Sequence, residues 1–410
     1  MKICLLTYRG NMYCGGQGIY IYYLSRELVR LGHEVHVMSG PPYPQVAEGV
    51  RLHKLGSSSV LVPRYDGSSN GTQSVRRPID LYEFVTTSMG MYAEPFAFSM
   101  RAYEEIRRLA PETKFDVIHD NQCLGYGLLK MKELGIPLVA TIHHPISIDR
   151  SADFRQARSN IERLRRRWFY SFYVPMQAFV SKHIDHVITV SECSAREIER
   201  QMGVPRDRMR VVYNGVDTDV FRNPDGVRKE PCSLIFVGNT EDRKKGVIHL
   251  VQAISLIKDE MPVKLTIVDG GAPETTYAPA LFKEYELDGH VRMVRRLSGS
   301  DLVQRYVTAE VAVVPSLFEG FGFPSVEAMS CELPVITTTA GALPELITDE
   351  ETGILVEPGD VQALAGAIKR LLGDEELRRK MGSAGRLEVE RRFSWEQAAR
   401  QTIAVYEEVT

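Results

Sequence analysis

Two hydrophobic rhythms alternate along the chain. Short apolar runs suit buried strands, and stretches in which apolar residues return every three or four positions suit one face of a helix. Lys2 to Tyr8 reads as a strand, and Ile21, Leu24, Leu28 and Leu31 then mark a helix that Gly32 can stop. Glu34-Val-His-Val-Met38 is the next strand and closes a βαβ unit. Between the first strand and its helix lies Gly15-Gly16-Gln-Gly18, a glycine turn where backbone N–H groups can hold a diphosphate. Its spacing is not that of the nicotinamide-cofactor fingerprint, and such a loop can equally be a plain turn. Residues 56–80 are rich in turn-forming residues and read as loop. Beyond them come a helix near 93–109, a strand at Asp116-Val-Ile-His119, a helix near 125–134 and a strand from Pro137 to Ile142. His186-Val-Ile-Thr-Val190 is a further strand, followed by a helix capped by Ser191, with Ser194 as the competing cap.

Asn223-Pro-Asp-Gly-Val-Arg-Lys-Glu-Pro231 is polar and turn-rich and divides the chain. A second alternating series follows: strands at Ser233–Val237, Lys264–Val268, His290–Arg295, Val311–Pro315 and from Pro334, a helix at 361–372, and a last helix capped by Ser394. The chain's 410 residues exceed one ordinary core. The pattern therefore predicts an α/β protein of two Rossmann-like domains, 1–220 and 221–390, with a closing helix in 391–410.

Chemistry concentrates in Ser316-Leu-Phe-Glu319-Gly-Phe-Gly322-Phe-Pro324-Ser-Val-Glu327-Ala-Met. The run before it is a buried strand, and Pro324 suits the first turn of a helix that stops near Cys331. Glu319 then lies in a loop at a strand's carboxyl end, where open α/β sheets bind ligands, and Glu327 lies a turn inside the helix. Gly320 and Gly322 permit close backbone approach, and the N–H groups of Gly322 and Phe323 make an anion site. Two carboxylates beside an anion site suit the hydroxyls of a sugar. Arg243-Lys244-Lys245-Gly246 lies between a strand and a helix; it is either solvated surface or the cationic group that stabilises a departing diphosphate. His143, with His144 beside it, ends a strand, either as a structural residue or as a ligand contact. Nothing near it supplies a third ligand at zinc spacing. Asp217-Thr-Asp219 looks like a metal-binding D-x-D, but follows an Asn-Gly turn and is discounted.

Composition narrows the class. A net charge of −3 gives no global attraction to nucleic acid, and the six scattered cysteines form no paired spacing, which favours a reducing compartment. The first residues are too few for a signal peptide and no run is long enough to span a membrane, so the expectation is a cytoplasmic protein or one bound to the inner face of a membrane. Residues 155–173 carry six arginines (155, 158, 163, 165, 166, 167) and a cluster of aromatics. They read as a long helix with a solvated basic side, or as a surface helix for anionic lipid headgroups or an anionic acceptor.

The stretch from Glu319 to Glu327 resembles the E-x7-E signature of the retaining GT-B glycosyltransferases, most closely their family four. The resemblance extends in order over Gly15-Gly16, Thr141-x-His143, the Asn214-Gly-Val-Asp217 turn, Lys245-Gly246 and the closing helix. It implies two domains facing a cleft, with the last helix crossing back to the first. It implies that Glu319 and the backbone of Gly320, Phe321, Gly322 and Phe323 position a donor sugar. Glu327 then holds the ribose, Gly15 and Gly16 meet the diphosphate, His143 contacts the sugar, and Arg295 lies near the base. Lys245 matches the family's lysine, whereas Asn239 stands where an arginine is expected, so Arg243 is the residue that can restore the charge. The implied activity is metal- and cofactor-independent hexosyl transfer, with retention, from a UDP- or GDP-linked sugar to a small or lipid-linked acceptor. A related sugar-nucleotide epimerase and a non-catalytic nucleotide-sugar-binding protein are the alternatives.

Overall fold

The computed structural model describes residues 1–12, 16–59, 77–148, 150, 154, 159–224, 226–270, 278–295, 297 and 299–410. The chain divides into two compact units, Met1–Val212 with Ala398–Thr410, and Tyr213–Gln397.

The first unit is built on strands β1 (Lys2–Thr7), β2 (Glu34–Ser39), β3 (Val50–Lys54), β4 (Val117–Asn121), β5 (Leu138–Ile142), β6 (His186–Thr189) and β7 (Met209–Val211). They form one parallel sheet in the order β3-β2-β1-β4-β5-β6-β7. Helices α1 (Gln17–Arg30), α2 (Pro78–Ser88), α3 (Glu94–Thr113), α4 (Gly127–Met131), α5 (Asn160–Tyr170), α6 (Tyr173–Lys182) and α7 (Glu192–Met202) accompany it. Ser191 settles the competition of caps: its hydroxyl accepts from the Ser194 N–H at 3.0 Å. β4 is buried at every position although it ends His119-Asp120-Asn121. Polar groups in such a place must find partners inside the protein, which marks this strand end as special.

The second unit carries β8 (Ser233–Val237), β9 (Lys264–Asp269), β10 (Val291–Arg295), β11 (Val311–Val314), β12 (Val335–Thr338) and β13 (Gly353–Val356). These are parallel in the order β10-β9-β8-β11-β12-β13. Its helices are α8 (Val247–Ile257), α9 (Ala278–Glu284), α10 (Gly299–Thr308), α11 (Phe323–Ser330), α12 (Leu343–Leu346), α13 (Val361–Gly373) and α14 (Glu375–Arg392). The last helix, α15 (Trp395–Val409), begins in this unit, and its residues from Ala398 group with the first. There Tyr406 is fully buried, its hydroxyl 2.5 Å from His119 Nδ1.

Both sheets reverse direction once: strand order runs outward from β1 to β3 and then restarts at β4 on β1's other side, and β8 and β11 repeat this. Such switch points open crevices at the carboxyl ends of the strands. The loops after β1 and β4, and after β8 and β11, flank them.

Several elements differ from the sequence expectation. β3 is an edge strand and β7 has three residues, so neither leaves a strong alternating pattern. The basic stretch 155–173 is not one helix: α5 ends at Tyr170 and α6 restarts at Tyr173, while residues 155–158 lie outside the described ones. α2 begins inside the stretch read as loop. Among the described residues no helix is long and apolar enough to cross a membrane.

Candidate functional site

The loop from β11 to α11 is held at both ends of Glu319. The Glu319 carbonyl accepts from the Ala342 N–H at 2.9 Å. Gly341, at φ +63°, passes so close that a Cβ there would lie 2.2 Å from that carbonyl oxygen. Glu319 is 8% exposed, and its Oε1 receives the Ser316 hydroxyl at 2.8 Å and the Lys245 ammonium at 2.7 Å. A carboxylate thus fixed has its second oxygen at the disposal of a ligand hydroxyl.

Lys245 comes from the loop that follows the adjacent strand, β8. Asn239 Oδ1 accepts from the Glu241 N–H at 2.9 Å and starts the turn, and Asp242 Oδ1 accepts from the Lys244 N–H at 3.0 Å. One 3-10 turn, Arg243–Lys245, then hangs both cations on the same loop, with Arg243 exposed. Gly246 follows at φ +71°, where a Cβ would meet the Pro315 carbonyl oxygen at 1.9 Å. The Lys244 carbonyl accepts from the Leu317 N–H at 2.6 Å. These contacts explain Lys-Gly at this point and fasten the basic loop to the Glu319 loop. Asn239, which replaces a cation in the resemblance, spends its amide oxygen on the turn. Asp269 was missed in the sequence: fully buried, it accepts the Thr240 hydroxyl at 2.7 Å and ties the basic loop to β9.

α11 starts at Gly322, φ +113°, with no side-chain cap and Pro324 in its first turn. Pro324 has no N–H and the Ser325 N–H donates to the Gly322 carbonyl at 3.0 Å, which leaves the Gly322 and Phe323 N–H groups at the helix start for an anion. Glu327 is half-buried one turn in, and the Tyr306 hydroxyl donates to its Oε2 at 2.9 Å. Burial pushes the Glu327 carboxyl up to about 7, with the tyrosine hydrogen bond pulling the other way. Phe321 is buried, its ring edge-on to Phe323 at 5.2 Å and Phe393 at 6.3 Å, so it offers a ligand its backbone only. Arg295 ends β10, three strands from β11 and about 14 Å away across the sheet. Its guanidinium turns back to Met293 Sδ at 3.9 Å, so the structure does not bring it to Glu319. Asp217 Oδ1 accepts from the Asp219 and Val220 N–H groups at 3.2 and 3.3 Å, which makes Asp217-Thr-Asp219 a turn.

In the first unit, Gly16 caps α1 at φ +71°, and Gly15 lies outside the described residues. His143 follows β5. Its Nε2 faces Asn121 Oδ1 at 2.7 Å, and Asn121 Nδ2 donates to the Gln17 carbonyl at 3.4 Å. That orientation of the amide makes Nε2 the protonated nitrogen and Nδ1 the acceptor. The ring stands edge-on to Tyr20 at 4.8 Å, and the His143 backbone N–H donates to Gln122 Oε1 at 2.6 Å. Burial, with the neighbouring His144 and His119, lowers the His143 pKa to about 3, so the imidazole is neutral. The His144 carbonyl accepts from Gln122 Nε2 at 2.9 Å. Thr141 faces the interior: its hydroxyl lies 2.7 Å from His119 Nε2 and 3.1 Å from the Tyr20 hydroxyl. A buried chain thus runs from Tyr406 through His119, Thr141 and Tyr20 to the His143 ring. Asn121 and Gln122 are neighbours of His143 that the sequence did not reveal, since they precede it by 22 and 21 residues and meet it only when β4 lies beside β5. Among the described residues no group of three or more His, Cys, Asp or Glu side chains is placed to hold a metal ion.

Residues 14–220 match the model of "Glycosyltransferase Family 4" and residues 217–388 that of "Glycosyl transferases group 1". The chain is 40% identical over 410 residues to an MMP alpha-(1->4)-mannosyltransferase of Mycolicibacterium hassiacum, covering 99% of this chain and 98% of that one. A sucrose-phosphate synthase structure from Thermosynechococcus elongatus superposes with a TM-score of 0.72 at 24% identity, covering 99% and 98% of the two chains. Anabaena HepE in complex with UDP and glucose gives 0.70 at 18% identity, covering 99% of each.

Proposed function

This chain belongs to the family 4, group 1 glycosyltransferases and has their GT-B fold, and from that premise we propose that it transfers a hexosyl group, specifically mannosyl, from a nucleoside-diphosphate sugar to an acceptor hydroxyl with retention of configuration. The relative's name supports the mannosyl group and the α linkage. The UDP and glucose held by HepE support a nucleotide sugar as donor class. An α-linked donor giving an α-linked product is net retention.

The observation that carries this reading is the Lys245–Glu319 pair at 2.7 Å, a cation and a sugar-steering carboxylate side by side at a strand switch point. The bond from the anomeric carbon to the diphosphate oxygen breaks, and the negative charge that develops on the leaving group is met by Lys245, Arg243 and the Gly322 and Phe323 N–H groups at the start of α11. Glu319 Oε2 accepts a sugar hydroxyl and Glu327 the ribose. Gly16 N–H meets the diphosphate, and the neutral His143 imidazole accepts from the sugar through Nδ1. The acceptor oxygen attacks on the face the diphosphate leaves, and a phosphate oxygen takes its proton. This scheme requires neither a metal nor a further cofactor.

GDP-mannose and UDP-glucose, each incubated with a mannooligosaccharide acceptor with and without EDTA, test it. The expected result is nucleoside diphosphate released one-for-one with an α-linked product, unchanged by EDTA. A β-linked product, loss of activity in EDTA, or epimerised sugar without transfer would overturn it.

A further inference from the structure

α2 is built inside out. Its buried positions are Asp80, Glu83 and Thr87. Asp80 and Glu83 each accept from the buried Arg101 guanidinium at 2.7 Å, so the helix's charges are spent inside the protein. Its apolar residues Leu81, Phe84 and Val85, with Met89 just after, face outward. A soluble helix turns the opposite way. α5 adds a second apolar stripe: Ile161, Leu164 and Trp168 follow one another at helical spacing, and Tyr170 is the helix's one buried residue. The stripes meet where Trp168 Nε1 donates to the Met89 carbonyl at 2.9 Å. These seven side chains are 40–74% exposed, and they are seven of the thirteen large apolar side chains exposed among the described residues. A patch so concentrated marks a surface that something covers.

Charge identifies what covers it. α5 carries Arg163, Arg165, Arg166 and Arg167 against Glu162, which pairs with Arg166. Arg163, Arg165 and Arg167 are exposed, and the turned-in carboxylates of α2 leave its outer face without negative charge. We propose that α2 and α5 together seat this protein on an anionic lipid bilayer, with the two apolar stripes at the boundary of headgroup and acyl chain and the arginines on lipid phosphates. A second copy of the chain on the same face would set arginines against arginines across a two-fold axis. An eleven-residue helix with one buried side chain is marginal in water, and a bilayer supplies the surface that completes it. The inference goes beyond the transferase reading and depends on neither donor nor acceptor.

Vesicle co-sedimentation of the full chain tests it, with phosphatidylglycerol vesicles compared with phosphatidylcholine vesicles. Binding is expected to phosphatidylglycerol only, and to fall as salt is raised. Arg163→Glu/Arg165→Glu/Arg167→Glu should weaken it by about a hundredfold, and Phe84→Ser/Leu164→Ser should abolish it while thermal melting and transfer to a soluble acceptor stay normal. Absence of binding to anionic vesicles at low salt, equal binding to both lipids, or full binding by either folded variant overturns the proposal. So does a dimer in light scattering that Phe84→Ser/Leu164→Ser dissolves.

Discussion

The Tyr306 hydroxyl donates to Glu327 Oε2 at 2.9 Å, beneath a carboxyl that burial pushes up to about 7. A ribose diol donates best to the ionised form, so donor KM should rise as pH falls through about 7. The hydrogen bond favours ionisation, and Tyr306→Phe, which keeps the ring and loses the hydroxyl, removes that help. The variant's KM–pH curve should shift to higher pH, with kcat at saturating donor nearly unchanged. Superimposable curves would show that Tyr306 only fills space.

Asp120 gives a stability prediction. It is fully buried, Oδ2 accepts from the Leu124 N–H at 3.0 Å, and burial pushes the carboxyl up to about 7. An acid whose folded pKa lies above its unfolded value contributes stability that is complete below about pH 4 and is lost as pH rises through about 7. The rise from the usual carboxylate range to about 7 corresponds to on the order of 4 kcal/mol. Asp120→Asn has the shape and neutrality of the protonated acid. It should match wild type below about pH 4, and its melting temperature should exceed wild type's by a margin that grows as pH rises and levels off above about pH 7. His119 and His143, lowered to about 3, tilt both curves equally the other way, with stability lost as pH falls below about 6.5. Parallel melting curves for the two proteins would contradict a buried neutral Asp120.

Asn121 acts through His143. Asn121→Ala frees the imidazole to rotate and lets either nitrogen carry the proton, and a misaimed group of this kind costs about tenfold or more in turnover. His143→Ala should cost at least as much, and the double variant no more than His143→Ala alone. Additive losses would mean that the two residues act separately.

Gly341→Ala tests the cradle around Glu319. The new methyl group would lie 2.2 Å from the Glu319 carbonyl oxygen at a φ of +63°. The left-handed backbone alone costs about 1 kcal/mol, and the overlap forces the Glu319 loop away from Lys245. Thermal stability and turnover should fall together, whereas the same change at Gly366, an exposed position inside α13 where an added Cβ meets nothing, should leave turnover unchanged and raise thermal stability by about 0.5–1 kcal/mol.

Much of this was legible in the sequence because it is local. The strand, loop and helix around Glu319 announce themselves through an apolar run, two glycines and Pro324, and Ser191 sits where its helix begins. What stayed hidden depends on contacts across the fold. α2 follows a loop-like stretch and keeps its carboxylates for Arg101, so its polarity is reversed and its pattern does not say which side is out. Tyr306, Asn121 and Gln122 look like ordinary residues until α10 is laid beside α11 and β4 beside β5. Asn239 read as a missing charge, and the structure shows what its amide does instead: it turns the basic loop. Arg295, placed by resemblance near the base, lies on the sheet's far edge strand.

The central claim is that Lys245 serves the leaving diphosphate while Glu319 serves the sugar, and calorimetric titration of GDP and UDP into the two alanine variants separates these roles. Lys245→Ala should bind the better nucleoside diphosphate at least about tenfold more weakly. Glu319→Ala, which releases the ammonium from its 2.7 Å partner, should bind it as tightly as wild type or tighter and yet lose turnover by orders of magnitude. Undiminished affinity in Lys245→Ala, or near-normal turnover in folded Glu319→Ala, would contradict the account.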